Sequence, residues 1–181
     1  SVYRHPTGIY FVPGSLAIED MDNLKISHLK SIKNLDADYV ILDGAAGLGK
    51  EALATIENSD HLIIVTNPEL PAITDALKTI KIASELNKNV LGVLVTRHKK
   101  DKFDVSIRNI EAMLEKPVLG VIPEDSNVRE ALSKKESIIF THPHADASQA
   151  YLKLAANVCG RGYDEIKLNW IDKFFKIFRR N

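Results

Sequence analysis

Short apolar runs alternate with longer helical patterns along nearly the whole chain, and this alternation most constrains its fold. The apolar runs are almost continuous and rich in β-branched residues, which is typical of strands buried in a parallel sheet. The sequence predicts strands at residues 9–12, 39–43, 61–66, 90–96 and 118–122, with a weaker one at 138–140. It predicts helices at residues 24–35, 50–58, 72–86, 105–115, 128–135 and 147–158, the last with Asp146 or Ser148 as N-cap.

This strand–helix–strand order predicts an α/β fold, in which a parallel sheet is covered by helices on both faces in a Rossmann-like three-layer arrangement. In such sheets, ligands bind beyond the carboxyl ends of the strands. The residues that follow each predicted strand are therefore the first candidates for a functional site.

Composition excludes several classes of protein. Lys plus Arg equals Asp plus Glu at 24 each, and the single cysteine, Cys159, excludes an internal disulfide. No run approaches the roughly 20 apolar residues of a membrane span, and no signal peptide opens the chain. We therefore expect a cytoplasmic protein, and the absence of a basic–aromatic pattern indicates no nucleic-acid partner.

A carboxylate and a glycine-rich turn follow the predicted strand at residues 39–43. The segment reads Asp43-Gly44-Ala45-Ala46-Gly47-Leu48-Gly49-Lys50-Glu51. An aspartate at a strand end can hold Mg²⁺, directly or through water, while glycine N–H groups approach a terminal phosphate. The plainer alternative is a glycine-rich turn that binds nothing.

Residues 44–50 also match G-x-x-x-x-G-K, the beginning of a phosphate-binding loop. Position 51 is Glu, however, where the motif requires Ser or Thr to hold magnesium, and a carboxylate there would repel phosphate oxygens. A phosphate loop at this place is a third hypothesis, and it predicts that Lys50→Ala removes nucleotide binding.

Polar turns also follow three other predicted strands, and together the turns carry a resemblance. The strand at residues 90–96 ends in Thr96-Arg97-His98, and the resemblance rests on four segments: Val12-Pro13-Gly14, Asp43-Gly44-Ala45-Ala46-Gly47, Val65-Thr66-Asn67-Pro68-Glu69 and Val121-Ile122-Pro123-Glu124-Asp125. In this order they resemble the MinD branch of the MinD/ParA deviant-Walker P-loop ATPases. The resemblance runs from about Thr7 to the last residue and implies a P-loop NTPase-like fold.

The resemblance implies a site for ATP and Mg²⁺. Asp43 would be the catalytic carboxylate at the magnesium ion, and Gly47 would sense the γ-phosphate. The cofactor's surroundings would be formed by residues that follow the other strands: Asn67, Thr96, Arg97, Pro123 and Glu124.

Three departures from the family pattern affect this expectation. Ala45 stands where the family usually has Pro, and Thr96 stands where relatives often carry an Asn that hydrogen-bonds adenine. The family's opening strand and its loop Lys-Gly-Gly-x-Gly-Lys-Thr have no counterpart in the 181 residues. We therefore expect an N-terminally incomplete fold that is inactive alone, whereas the full-length protein would hydrolyse ATP.

The C-terminal residues 164–181 predict an amphipathic helix that lies on a membrane surface. From Glu165 to Asn181, five basic residues stand against two acidic ones, a net charge of +3. Apolar side chains recur at helical spacing, with basic ones between and after them. The predicted membrane-binding residues are Leu168, Trp170, Ile171, Phe174, Phe175 and Phe178 with Lys173, Lys176, Arg179 and Arg180.

The sequence thus predicts an ATPase domain at residues 1–159, a linker at 160–163 and the membrane-targeting helix at 164–181. The resemblance implies an ATP-dependent homodimer, anionic lipids and a cell-division or positioning regulator as partners, at the cytoplasmic face of the membrane. An alternative is a non-catalytic membrane-tethered scaffold. For the tail, the alternative is a terminal helix that packs its aromatic face onto the sheet or onto a neighbouring subunit.

Overall fold

The computed structural model of the chain describes residues 2–5, 8–13, 36–45 and 47–163. The chain forms two compact units, Leu42–Tyr163 and a second unit that joins Ser1–Ile41 with Asp164–Asn181. The helix predicted at residues 24–35 and the tail at 164–181 lie outside the described residues. The predicted domain limits at 159 and 163 stay predictions.

The second unit contains a short antiparallel hairpin. Strand β1 (Tyr3–Arg4) pairs with β2 (Tyr10–Phe11), and the rings of Tyr3 and Phe11 stack with their centroids 5.5 Å apart. The strand predicted at residues 9–12 thus exists in part, but the prediction that it is buried and parallel is wrong. Its hydrogen-bond partner is β1, and Tyr10 is 64% exposed.

The strand predicted at residues 39–43 is wrong, since these residues are irregular. Tyr39, Val40 and Ile41 are 59%, 44% and 90% exposed. Within the described ranges, no strand pairs with this segment. An extended run forms a strand only where neighbouring backbone groups pair with its N–H and C=O groups, so the apolar pattern alone does not suffice.

A parallel sheet of three described strands, in the order β3 (His61–Thr66), β4 (Asn89–His98) and β5 (Val118–Pro123), forms the centre of the unit Leu42–Tyr163. Residue pairs Val65–Leu94 and Val95–Val121 set its register. The elements in chain order are α1 (Lys50–Asn58), β3 (His61–Thr66), α2 (Leu70–Glu85), β4 (Asn89–His98), α3 (Ile107–Leu114), β5 (Val118–Pro123), α4 (Ser126–Ser133), α5 (Ile138–Thr141) and α6 (Asp146–Val158).

Helices cover both faces of this sheet. On one face, Ile73 of α2 and Ile110 of α3 pack in one core cluster with Val93 and Val95 of β4. On the other face, Leu94 packs in a second cluster with residues of β5 and of α4, α5 and α6: Ile122, Ala131, Ile138 and Ala147. Neighbouring residues of β4 therefore face opposite layers, and the predicted three-layer α/β fold with a parallel sheet is confirmed.

Two predictions near the C-terminal end of this unit are wrong. Residues 138–140 form helix α5 rather than a strand, because the Ser137 hydroxyl caps the Ile139 N–H at 3.3 Å and Ile138 is buried in the second cluster. The N-cap of α6 is Ala145, not Asp146 or Ser148. Ser148 is fully buried, and its hydroxyl donates instead to the His142 carbonyl oxygen at 2.7 Å and lies 3.2 Å from that of Ile138.

Gly92 allows a close approach between β4 and the chain that enters β5. A Cβ at this position would lie 2.5 Å from the Pro117 carbonyl oxygen, which accepts a 2.9 Å hydrogen bond from Val93 N–H. The register between β4 and β5 shifts at Val93 and Leu94. Only a residue without a side chain fits there.

Candidate functional site

The three parallel strands end at one edge of the sheet, and polar residues lie at each end. Asn67 follows β3, and Thr96 and Arg97 lie among the last three residues of β4. Glu124 follows Pro123, the final residue of β5. We call Asn67, Thr96, Arg97 and Glu124 the strand-end group. Parallel strands bring these residues together because their carboxyl ends meet at the same edge.

The first pair within the strand-end group joins β3 to β4. The Thr96 hydroxyl donates to Asn67 Oδ1 at 2.9 Å, and it lies 3.3 Å from the Thr66 carbonyl oxygen. Asn67 and Thr96 are half-buried, whereas Thr66 is buried. This pair therefore lies at the boundary between the buried core and the carboxyl edge of the sheet.

The second pair joins β4 to the turn after β5. Arg97 Nε donates to Glu124 Oε2 at 3.1 Å, and Glu124 N–H donates to the His98 carbonyl oxygen at 3.0 Å. The backbone of Arg97 has φ of +57°, a left-handed conformation that a residue with a Cβ adopts at a cost of about 1–3 kcal/mol. Side-chain and backbone bonds together hold this turn.

Asp104 organises the loop after β4, a role that the sequence analysis missed. Its Oδ2 accepts from Lys99 N–H at 2.7 Å and from Lys100 N–H at 3.1 Å. Val105 N–H donates to the carbonyl oxygen of Pro68, whose side chain is fully buried. The loops after β3 and β4 are therefore tied together. Asp101 and Asp104 at three-residue spacing among lysines were the available signal for such a turn.

The predicted magnesium residue lies in a different environment. Asp43 is exposed, and within the described residues it makes no hydrogen bond or ion pair with the strand-end group. Gly47 has φ of +84°, with no described atom within 4 Å of the position of a Cβ. An unengaged carboxylate beside an open glycine fits Mg²⁺, which usually takes one or two carboxylates and completes its shell with water and phosphate. In the described part of the chain, no cluster of three or more His, Cys, Asp or Glu residues offers another metal site.

The first turn of α1 bears on the hypothesis of a phosphate loop at residues 44–50. Helix α1 begins at Lys50 after the N-cap Gly49, and Glu51 lies in its first turn. The Glu51 Oε2 atom lies 3.3 Å from the position that a Cβ on Gly49 would take. A carboxylate thus already lies at this helix N-terminus, where a phosphate would otherwise be favoured.

The predicted membrane-binding residues lie outside the described residues, so their arrangement stays a prediction. In the described part of the chain, no helix has both the length and the apolar content that crossing a membrane requires.

Similarity to known proteins covers most of the chain. The ParA family model, described as the NUBPL iron-transfer P-loop NTPase, matches residues 21–159. An uncharacterized ATP-binding protein of Methanocaldococcus jannaschii is 34% identical over 97% of this chain and 69% of its own length.

Two solved structures share the fold of this chain. The septum site-determining protein MinD from Pyrococcus horikoshii, complexed with Mg-ADP, is 28% identical, with a TM-score of 0.75 over 82% of this chain and 63% of that one. The MinC:MinD cell division complex of Aquifex aeolicus gives 26% identity and a TM-score of 0.75, over 90% and 68%. The chain therefore spans about two thirds of the length of these relatives. It belongs to the ParA/MinD family of P-loop NTPases.

Proposed function

We propose that the full-length protein is a membrane-associated ATPase of the MinD type, acting in the placement of the division site or in related spatial positioning. It couples the binding of Mg-ATP and dimerisation to reversible attachment to the cytoplasmic face of the membrane. One observation carries the nucleotide part of this proposal. Two hydrogen-bonded pairs, Thr96–Asn67 and Arg97–Glu124, link the ends of three strands at the edge where α/β proteins bind ligands.

Different residues of this chain contact different parts of the nucleotide. The strand-end group and Pro123 receive the base and fix its orientation, since they are anchored to the buried sheet. Asp43 holds the magnesium ion, directly or through water, and Gly47 brings its backbone N–H toward the terminal phosphate. When bound, Mg²⁺ neutralises the charge that develops on the phosphate oxygens.

A reversible membrane switch follows from the energetics predicted for residues 164–181. Each large apolar side chain that enters the interface contributes about 1.5–3 kcal/mol, and each basic residue adds about 1 kcal/mol at an anionic surface. Ordering the helix offsets much of this gain, so one tail binds weakly. Two tails in one dimer bind much more tightly, which supports coupling dimerisation to attachment.

The metal role of Asp43 is tested in the full-length protein by its Mg²⁺-dependent ATP hydrolysis. We expect Asp43→Ala to lower the rate roughly 10- to 100-fold, as loss of a group that supports a metal does elsewhere. Asp38→Ala is the matched control, because it removes another exposed carboxylate outside the motif. Equal rates in both variants would contradict the assignment.

The membrane role of the tail is tested by co-sedimentation with vesicles that contain anionic lipid. Replacing Phe174 and Phe175 with Glu should abolish binding, because two carboxylates would enter the apolar stripe. Phe103→Glu is the control, since Phe103 is 79% exposed on the loop after β4 and outside the tail. Binding that persists in the double variant would place the contact elsewhere in the protein.

The alternative is a non-catalytic, membrane-tethered scaffold of the same fold. The intact mass of the protein isolated from its source cells separates the two functions. A mass above that of the 181 residues, with an N-terminal Lys-Gly-Gly-x-Gly-Lys-Thr loop, supports the ATPase. A mass equal to that of the 181 residues supports the scaffold.

A further inference from the structure

Asp43-Gly44 is the only Asp-Gly sequence among the 181 residues, and the chain contains no Asn-Gly sequence. In such a pair, the backbone nitrogen of the glycine can attack the side-chain carboxyl carbon, Cγ, of the aspartate and close a five-membered ring. A Cβ on the second residue would crowd that nitrogen, whereas glycine leaves it open and lets the backbone turn toward the carboxyl group. The sequence therefore indicates residue 43 as the aspartate at which this reaction is least hindered.

The structure leaves both reacting groups accessible. Asp43 is exposed, and its carboxylate makes no hydrogen bond or ion pair with a described residue. Gly44 is exposed as well, and its N–H donates to no carbonyl oxygen in the described part of the chain. Closing the ring therefore breaks no contact of either group within that part of the chain.

The backbone around this pair is not part of a helix or strand. Residues 39–45 are irregular, and Ile41, two positions before Asp43, is 90% exposed. Ring closure requires a rotation of the Asp43 backbone that a helix or a paired strand resists, because hydrogen bonds of the element must open first. At Asp43 no element has to open before the nitrogen reaches Cγ.

Other aspartates of the described chain lack at least one of these features. Asp36-Ala37 is also irregular and exposed, but its second residue carries a Cβ. Asp75-Ala76 lies inside helix α2, where Ala76 is 5% exposed. Asp104 accepts from two backbone N–H groups, so its carboxylate is engaged. These residues are therefore internal controls for Asp43.

We propose that Asp43-Gly44 is a site of isoaspartate formation, a covalent modification that proceeds without an enzyme. The Gly44 nitrogen forms a bond to Asp43 Cγ, and one carboxyl oxygen leaves as water with the N–H proton and a second proton from the carboxyl group or solvent. Water then opens the ring at one of its two carbonyl carbons. Opening at Cγ restores aspartate, whereas opening at the backbone carbonyl leaves the chain linked through the side chain. The mass is unchanged.

The modification removes the magnesium ligand assigned to this position. In isoaspartate the backbone is one carbon longer, and the free carboxylate is attached directly to Cα rather than through Cβ. Mg²⁺ demands near-ideal octahedral geometry, so a carboxylate displaced in this way no longer fits the site. This consequence rests on the proposed function, whereas the modification itself does not.

Peptide mapping of the aged full-length protein tests the modification without any mutation. The protein is incubated at neutral pH and digested, and isoaspartate is detected by methylation with an isoaspartyl methyltransferase and S-adenosylmethionine. We expect isoaspartate to accumulate many-fold faster at Asp43 than at Asp36 or Asp75. Its absence at Asp43, or equal accumulation at Asp36, would overturn the proposal.

A glycine substitution then tests the cause. Gly44→Ala should slow the reaction many-fold, because its Cβ crowds the attacking nitrogen. The fold should tolerate this Cβ, which would lie 3.4 Å from Thr55 Cγ2, an ordinary contact. Gly49→Ala is the matched control, since it alters a glycine near the pair and leaves Asp43-Gly44 intact. An unchanged rate in Gly44→Ala contradicts the mechanism. Should that variant fail to fold, the comparison of Asp43 with Asp36 decides.

Adding Mg²⁺ and a non-hydrolysable ATP analogue separates this inference from the proposed function. At an analogue concentration of about 100 Kd, only about 1% of the protein is free, so isoaspartate formation should slow roughly 100-fold. In protein aged without the analogue, the ATP hydrolysis rate should fall as the isoaspartate fraction rises. If the analogue binds without slowing the reaction, the assigned consequence at the magnesium site fails. If it does not bind, the proposed function fails, while the peptide map still decides whether Asp43 is modified.

Discussion

The strand-end group and the segment of residues 39–45 and 47–49, which we call the approach segment, differ in what supports them. The strand-end group lies at the ends of strands that are packed on both faces. Its members form two hydrogen-bonded pairs. The approach segment is irregular, and Ile41 within it is 90% exposed. Both regions carry residues that the family resemblance assigns to a nucleotide site, yet only one is braced by the described core.

This difference separates two tasks that a nucleotide site must perform. Groups that select a base gain from being fixed before the ligand arrives, because less ordering is needed on binding. Groups that meet a terminal phosphate and its metal are often positioned by the ligand itself, and then released. The contrast between the braced and the unbraced region is open to direct measurement of stability.

The largest expected contrast comes from the same substitution in the two regions. Ile110→Ala should lower the free energy of unfolding by about 2–5 kcal/mol, because Ile110 is 0% exposed between α3 and the sheet. Ile41→Ala should change it by less than about 0.5 kcal/mol. Denaturant unfolding of both variants measures the contrast, and equal losses would show that Ile41 is covered in the intact protein.

A smaller contrast is expected from two glycine substitutions. Gly92→Ala should cost about 1–3 kcal/mol, because its Cβ would overlap the Pro117 carbonyl oxygen. Gly44→Ala should cost less than about 0.5 kcal/mol, since its Cβ would meet Thr55 Cγ2 at 3.4 Å, an ordinary contact. Thermal unfolding of the pair is the measurement. A larger loss at Gly44 would mean that the approach segment is held more tightly than β4.

The smallest effect is expected at the rim of the strand-end group. Glu124→Gln should lower stability by only about 0.2–1 kcal/mol at low salt, because Arg97 and Glu124 are 63% and 37% exposed and water screens the pair. The loss should shrink at high ionic strength. Lys78→Gln, which breaks the exposed ion pair with Asp75, is the control for a pair outside the site. A salt-independent loss at Glu124 alone would show that hydrogen bonding, not charge, braces this turn.

The sequence pattern predicted β3, β4 and β5 to within two residues because local preference and tertiary partners agree there. Residues 39–43 carry the same apolar pattern, but they are irregular and pair with none of the described strands, so an apolar pattern alone does not predict a strand. The residues of the strand-end group were predictable as site candidates, because polar residues and prolines interrupt the sequence at the end of each apolar run. The contact between Thr96 and Asn67 was not, because it depends on which turns the register of β3 and β4 brings side by side.

The order β3-β4-β5 has a consequence for how the protein is made. In the described sheet, β4 and β5 each pair with the strand that left the ribosome just before them, and one helix separates the two strands of each pair. Each parallel pairing must close a connection that includes a helix, residues 67–88 or 99–117, so it forms more slowly than a hairpin, but each strand finds its partner already synthesised. The described strands can therefore pair one after another in the order of their synthesis.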